Sequence, residues 1–195
     1  FLYRYFKYIE KVLLKQADFI NSLTESATKE LTRKFPTINL AEKTIIIPCC
    51  TDTAVFDPAK TQRISIPGFA AGAPYLVYSG SIGTWYFTKE VLDCFCVWKK
   101  QIVDLHLLIL TKDRAAALAA MSGYSAEIKS CISVLESAHK DVARYLKDAL
   151  ASIFFIMPAY SKIASSPTKM AECWAMGLPI ITNKGIGDND LYFQN

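Results

Sequence analysis

The chain is poor in the patterns that usually declare a function. It holds only two histidines, His106 and His139, both far from any pair among its six cysteines, and no CxxC spacing occurs. That leaves no sequence case for a zinc site, so no metal ligand is named. No apolar run approaches the roughly 20 residues that a membrane span needs. Dense Lys/Arg blocks are missing, and aromatics are not interleaved with basic residues in one stripe. A formal net charge of +4 therefore implies no nucleic-acid partner. No signal peptide is visible. Most of Cys49, Cys50, Cys94, Cys96, Cys131 and Cys173 sit inside apolar segments, and the set reads as reduced thiols of a cytoplasmic protein. Internal repeats and low-complexity tracts are also lacking.

What is there describes a globular chain. Of 195 residues, 52% are hydrophobic and 21% charged, enough for a real core in one domain, or one domain plus part of another. The chain opens on Phe1, mid-helix by pattern, and closes on "DNDLYFQN", which partly resembles a protease-cleavage tag; both ends suggest a fragment.

Residues 1–18 have helical spacing, with Leu2, Phe6, Ile9 and Leu13 on one face and Arg4, Lys7, Lys11 and Lys15 on another. Such a helix either packs on a sheet or lies on an anionic membrane surface. A strand is predicted within 18–23, then a helix over 25–35 with Thr24 as its N-cap, then a buried strand within 43–48. The stretch 49–74 is aperiodic and holds Pro58, Pro67, Gly68, Gly72 and Pro74, which marks a linker. Regular alternation follows. Strands are predicted at 75–79, 106–111, 130–137, 152–157 and 179–182, with helices at 88–101, around 114–121, at 140–149 and after 167. Strand–helix alternation with continuous apolar strands predicts an α/β, Rossmann-like parallel sheet with helices on both faces.

In such a sheet, ligands bind outside the carboxyl ends of the strands. The loops there are 79–86, 111–113, 136–141, 158–169 and 183–190. The longest, 158–169, leads into "SSPTKMAECWAMGLP". Ser166 is placed to cap the helix and Pro167 to open it. The N–H groups of residues 168–170 would then point outward at the positive helix end, with Lys169 adding a mobile cation, which together suit an anion. Glu172, one turn in, offers a carboxylate that can accept from vicinal hydroxyls, as in ribose recognition, or simply sit on the surface.

The run "SSPTKMAECWAMGLPIITN" resembles the donor-binding signature of family-4-type glycosyltransferases of the GT-B fold. "ADFINSLTESATKEL", "KTIIIPCCTDTAVFDP" and "YLVYSGSIGTWY" resemble further family segments, so the likeness covers nearly the whole chain. It implies three parts: 1–62 as the end of an N-terminal acceptor-type domain, 63–74 as the linker, and 75–195 as a donor-binding Rossmann-like domain. It implies a nucleotide-sugar donor, UDP- or GDP-linked, and a glycan or lipid-linked acceptor. No cofactor is implied. Glu172 matches the second glutamate of the family's E-x7-E motif, which holds the donor ribose. Gly80, Ser81, Gly83 and Thr84 fall by the donor diphosphate, as do Thr168 and Lys169, with Ser166 at the helix start. No catalytic residue is named.

The departures are specific. The first glutamate of E-x7-E falls on Ala164, and the Arg and Lys that commonly follow the first donor-domain glycine fall on Ser81 and Tyr86. Lys169 or Lys89 is the available substitute. The acceptor-domain loops would precede Phe1, so the chain alone is expected to bind donor without turning over. Three other readings compete. A nucleotide-sugar 2-epimerase shares the fold. A dehydrogenase-type dinucleotide binder would want G-x-G-x-x-G, where the chain has G-x-x-G followed by Trp85 and Tyr86, and would use Asp113 for a ribose. A non-catalytic module would use the sheet only to support a membrane or protein contact through helix 1–18, the membrane contact being peripheral at the inner face.

Overall fold

The structure, a computed structural model, describes residues 1–193; Gln194 and Asn195, which end the "DNDLYFQN" run and the expected 75–195 domain, lie outside the described residues. By their own contacts the residues divide into two compact units. The first comprises Phe1–Cys49, Pro158–Ser166 and Lys184–Asn195, and the second Cys50–Met157 and Pro167–Asn183. This division differs from the expected 1–62, 63–74 and 75–195. The reason is physical: Phe56 and Ile66, in the stretch read as linker, are buried in the second unit's core with Tyr75, Val77, Leu108 and Leu110.

In the first unit, helix α1 spans Leu2–Gln16 and buries no residue. Strands β1 (Ile20–Ser22) and β2 (Thr44–Ile46) form a parallel pair. Helix α2 (Glu25–Lys34) starts where its cap predicts, Thr24 Oγ1 accepting from the Ala27 N–H at 3.1 Å. A 3-10 turn over Tyr160–Ala164 lies in the stretch expected as loop.

The second unit is built on a parallel sheet of five strands, and it confirms the predicted α/β class. Its strands are β3 (Tyr75–Ser79), β4 (His106–Leu110), β5 (Ile132–Leu135), β6 (Ala151–Ile153) and β7 (Ile180–Ile181), in the order β5-β4-β3-β6-β7. Every residue of β3 is buried, as a central strand covered on both faces requires. The flanking helices are α3 (Thr88–Lys99), α4 (Arg114–Ala120), α5 (Ala126–Ser130), α6 (His139–Leu146) and α7 (Thr168–Ala175). Side chains alternate across the sheet. Tyr75 and Val77 of β3 join Leu108 and Leu110 of β4 in one core with Val142, Ala143 and Leu146 of α6 and Cys173 of α7. Leu76 and Tyr78 point to the other face.

Several strands are shorter than their predicted runs, most of all those expected at 130–137 and 152–157. Ser125 caps the short α5 by accepting from the Ile128 N–H, and that helix takes Ser130 from the strand expected at 130–137. Residues 154–157 leave β6: Ile156 forms an isolated antiparallel bridge with Tyr86, and Asn183 brackets it, its Oδ1 accepting from the Ile156 N–H at 2.8 Å and its Nδ2 donating to the Ile156 carbonyl at 2.9 Å. A last helix, α8 (Asn189–Tyr192), falls in the first unit, within the stretch read as loop and tag-like tail.

Candidate functional site

The chain runs from β3 outward to β4 and β5, then returns to place β6 on the other side of β3. The loops after β3 and β6 therefore leave the sheet in opposite directions, and a crevice opens at that switch point. A cavity of about 540 Å³ occupies it within the second unit. Its lining includes Gly80, Ser81 and Tyr86 from the loop after β3, His139 from the start of α6, and Thr168, Lys169 and Glu172 from α7.

Helix α7 has a sharp beginning and a sharp end. It starts without a side-chain cap, Pro167 standing at the cap position in extended conformation. The N–H groups of Thr168 and Lys169 have no carbonyl a turn before them in the helix, as at any helix start. The helix ends in a Schellman motif, the Leu178 N–H bonding to the Cys173 carbonyl and the Gly177 N–H to that of Trp174. Gly177 closes it at φ 65°, where a side chain is disfavoured.

Three expectations about this helix start are corrected. Ser166 does not cap α7: it belongs to the first unit, where its hydroxyl accepts from the Cys49 N–H at 3.0 Å. The Met170 N–H is not free, because it bonds to the Pro167 carbonyl at 2.9 Å. Lys169 is not a mobile surface cation. Its Nζ is buried without a hydrogen-bond partner and stands over three aromatic rings, 4.4 Å from the centroid of Tyr86, 4.9 Å from Phe154 and 5.1 Å from Tyr78. Burial, which disfavours the charged ammonium, pushes Lys169 down to about 8, while Cys173 and Glu172 nearby oppose that fall.

Glu172 is likewise not on the surface. It is buried, and its Oε1 lies 2.8 Å from Nε2 of His139. An ionised carboxylate only accepts, so in this pair Nε2 carries the proton. The imidazole ring remains largely open to solvent and packs edge-on against Phe56, with centroids 5.4 Å apart. His139 was not predicted as a site residue. Its place at the head of the helix in the 136–141 loop was the available signal, but nothing in the spacing linked it to a glutamate 33 positions later.

The loop after β3 is pinned from below. The Gly80 N–H bonds to the Leu110 carbonyl at 3.0 Å, the Ile82 N–H to Asp113 Oδ2 at 2.9 Å, and the Tyr78 hydroxyl donates to the Ser81 carbonyl. Asp113, weighed as a ribose ligand, thus holds the turn. Gly83 and Thr84 do not line the cavity; they shape the turn, Thr84 at φ 39° being in a left-handed conformation uncommon for a β-branched residue. Lys89, the other substitute cation, forms an exposed ion pair with Asp93 and does not line the cavity. The structure thus gathers Gly80, Ser81, Thr168, Lys169 and Glu172, and leaves out Gly83, Thr84 and Ser166. Among the described residues no group of His, Cys, Asp and Glu is arranged to hold a metal ion.

No protein-family model and no curated protein sequence matches the chain. Solved structures do. WaaG, a glycosyltransferase involved in lipopolysaccharide biosynthesis, superposes with a TM-score of 0.66 at 17% identity, over 97% of this chain and 51% of its own. The pneumococcal O-GlcNAc transferase GtfA, in complex with UDP and GlcNAc, gives 0.62 at 12% identity, over 94% of this chain and 34% of its own. The catalytic domain of starch synthase IV from Arabidopsis thaliana, bound to ADP and acarbose, gives 0.57 at 13% identity, over 92% and 42%. The fold is that of GT-B glycosyltransferases. At these identities the likeness speaks for the GT-B fold alone, and the chain spans about a third to a half of the length of these neighbours.

Proposed function

We propose that the chain is the donor-side part of a family-4-type glycosyltransferase and binds the nucleoside diphosphate of a UDP- or GDP-sugar in the cavity at the sheet's switch point. On this reading the second unit corresponds to the donor domain, and the first to the end of an acceptor-type domain. The observation that carries it is one cavity receiving both an uncapped helix start and a buried carboxylate. The backbone N–H groups of Thr168 and Lys169 meet the diphosphate, with the Gly80–Ser81 turn packed against it. Glu172 accepts from the ribose hydroxyls. The whole protein transfers the sugar to a glycan or lipid-linked acceptor; this chain alone binds donor without transfer. The nucleotides in the GtfA and starch synthase structures are consistent with a ligand of this class.

A thermal-shift series tests the reading. UDP or GDP raises the melting temperature, by the equivalent of about 2.7 kcal/mol at 100 times the dissociation constant. The free sugar leaves it unchanged. A flat response to every nucleoside diphosphate at millimolar concentration, with NAD giving the shift instead, would transfer the site to the dehydrogenase class. A 2-epimerase would share the nucleotide response, and sugar isomerisation by the whole protein would identify it.

A second contact is favoured by α1. Phe1, Leu2, Phe6 and Leu13 are all exposed, and Arg4, Lys11 and Lys15 lie on the same helix. No helix among the described residues is long and apolar enough to cross a membrane. We infer that α1 docks peripherally on an anionic bilayer, its apolar side chains entering the headgroup boundary. Co-sedimentation with phosphatidylserine vesicles, lost in high salt and on Leu2→Glu/Phe6→Glu substitution, is the expected outcome; equal recovery with neutral vesicles would contradict it.

A further inference from the structure

We propose that Lys169 is a concealed anion receptor, its ammonium stored among Tyr78, Tyr86 and Phe154 and presented to a diphosphate entering at the start of α7. The proposal rests on reading the cavity as a nucleoside-diphosphate site. Its grounds are geometric. A Cβ built on Gly80 would stand 2.7 Å from Nζ, so the ammonium lies directly against the turn that lines the cavity, and a side chain at that position would collide with it. Nζ has no acceptor, and aromatic faces compensate a buried cation only in part. The two N–H groups at the helix start add positive potential beside it. A chelating anion is the ligand chemistry that satisfies all three donors together.

Proton uptake follows from this placement. The titratable groups facing Nζ are Tyr78 on β3, Tyr86 on the loop, and Glu172 and Cys173 on α7. Burial pushes the Tyr78 phenol up, and Cys173 up to about 11, so both stay neutral through pH 9. Lys169, lowered to about 8 by burial, is largely neutral at pH 9 and largely charged at pH 7. An anion at hydrogen-bond distance favours the charged form, so binding above pH 8 must draw a proton onto Nζ. Affinity therefore falls as pH rises through 8. In the absence of ligand the sign reverses: a lysine lowered by folding makes the folded state relatively more stable as pH climbs from 8 toward its ordinary value.

The test is titration calorimetry of UDP and of pyrophosphate in buffers of different ionisation enthalpy. The wild-type chain should take up a large fraction of a proton on binding at pH 9.0 and clearly less at pH 7.5, and bind several-fold more weakly at the higher pH. Lys169→Met, which keeps the stem and removes the charge, should lose the linkage and bind both ligands roughly 10- to 100-fold more weakly. Without ligand the same variant should melt higher than wild type at pH 7, with the gap closing by pH 10, which also verifies that it folds. Lys89→Ala should bind as wild type does. Binding of UDP with no proton uptake at pH 9.0, or unchanged by Lys169→Met, would overturn the proposal and leave the nucleotide reading standing. Failure of the wild type to bind either ligand would overturn both.

Discussion

The two helix starts that the chain builds most carefully are treated in opposite ways. At the start of α2, in the first unit, the protein supplies its own anion: Asp188 accepts from the Glu25 N–H at 2.7 Å through Oδ2, and from the Ser26 N–H and hydroxyl at 3.0 and 2.8 Å through Oδ1. Thr24 caps the same turn. At the start of α7, in the second unit, no side chain caps, and the carboxylate one turn in is turned to His139 instead. Both helices carry the same positive end. A helix start closed by a resident carboxylate is a structural joint; one opened into a cavity beside an unpartnered ammonium is what the proposed diphosphate site requires.

If α2 is such a joint, removing its carboxylate must cost the fold. Asp188 is buried, and Asp188→Ala would leave two backbone N–H groups and a hydroxyl without their acceptor. The three donors are only part-buried, and water can replace some of what is lost. Hydrogen bonds to a charged group contribute about 1.5–3 kcal/mol each, so a net loss of roughly 3 kcal/mol is expected. The urea midpoint measures it. A loss below about 1 kcal/mol would erase the contrast, since the two helix starts would then tolerate solvent equally.

The difference between these helix starts was only partly legible in the sequence. The sheet was, because short apolar runs such as "YLVYS" and "HLLIL", bounded by turn residues and alternating with helical segments, suit strands buried on both faces, and the structure places strands there. Thr24 was readable as a cap because capping is local. Ser166 was misread for the same reason: its hydroxyl has a partner at Cys49, 117 positions away, which no local rule anticipates. Lys169 looked solvated because lysines usually are, and its burial depends on Tyr78, Tyr86 and Phe154 arriving from three separate segments. Glu172 does line the cavity, but its burial was not readable from its place one turn into the helix. Its partner His139 and the clamp of Asp113 on Ile82 arise from loop neighbours that only the strand order brings together.

The smallest effect tests the central claim most directly, because it asks whether the cavity has an anion end and a separate sugar-reading end. Glu172→Gln keeps the size of the side chain and an oxygen that can still accept from His139, but removes the charge that assists hydrogen bonds from ribose hydroxyls. A hydrogen bond to a charged group contributes roughly 1.5–3 kcal/mol, so UDP affinity should fall roughly 10- to 100-fold. Pyrophosphate, which has no ribose, should bind the variant and the wild type alike. Titration calorimetry of both ligands on both chains gives the answer. Selective loss of UDP binding is the predicted result; equal loss for UDP and pyrophosphate, or none for either, would contradict the assignment of Glu172 to the ribose and with it the nucleotide-sugar account of the cavity.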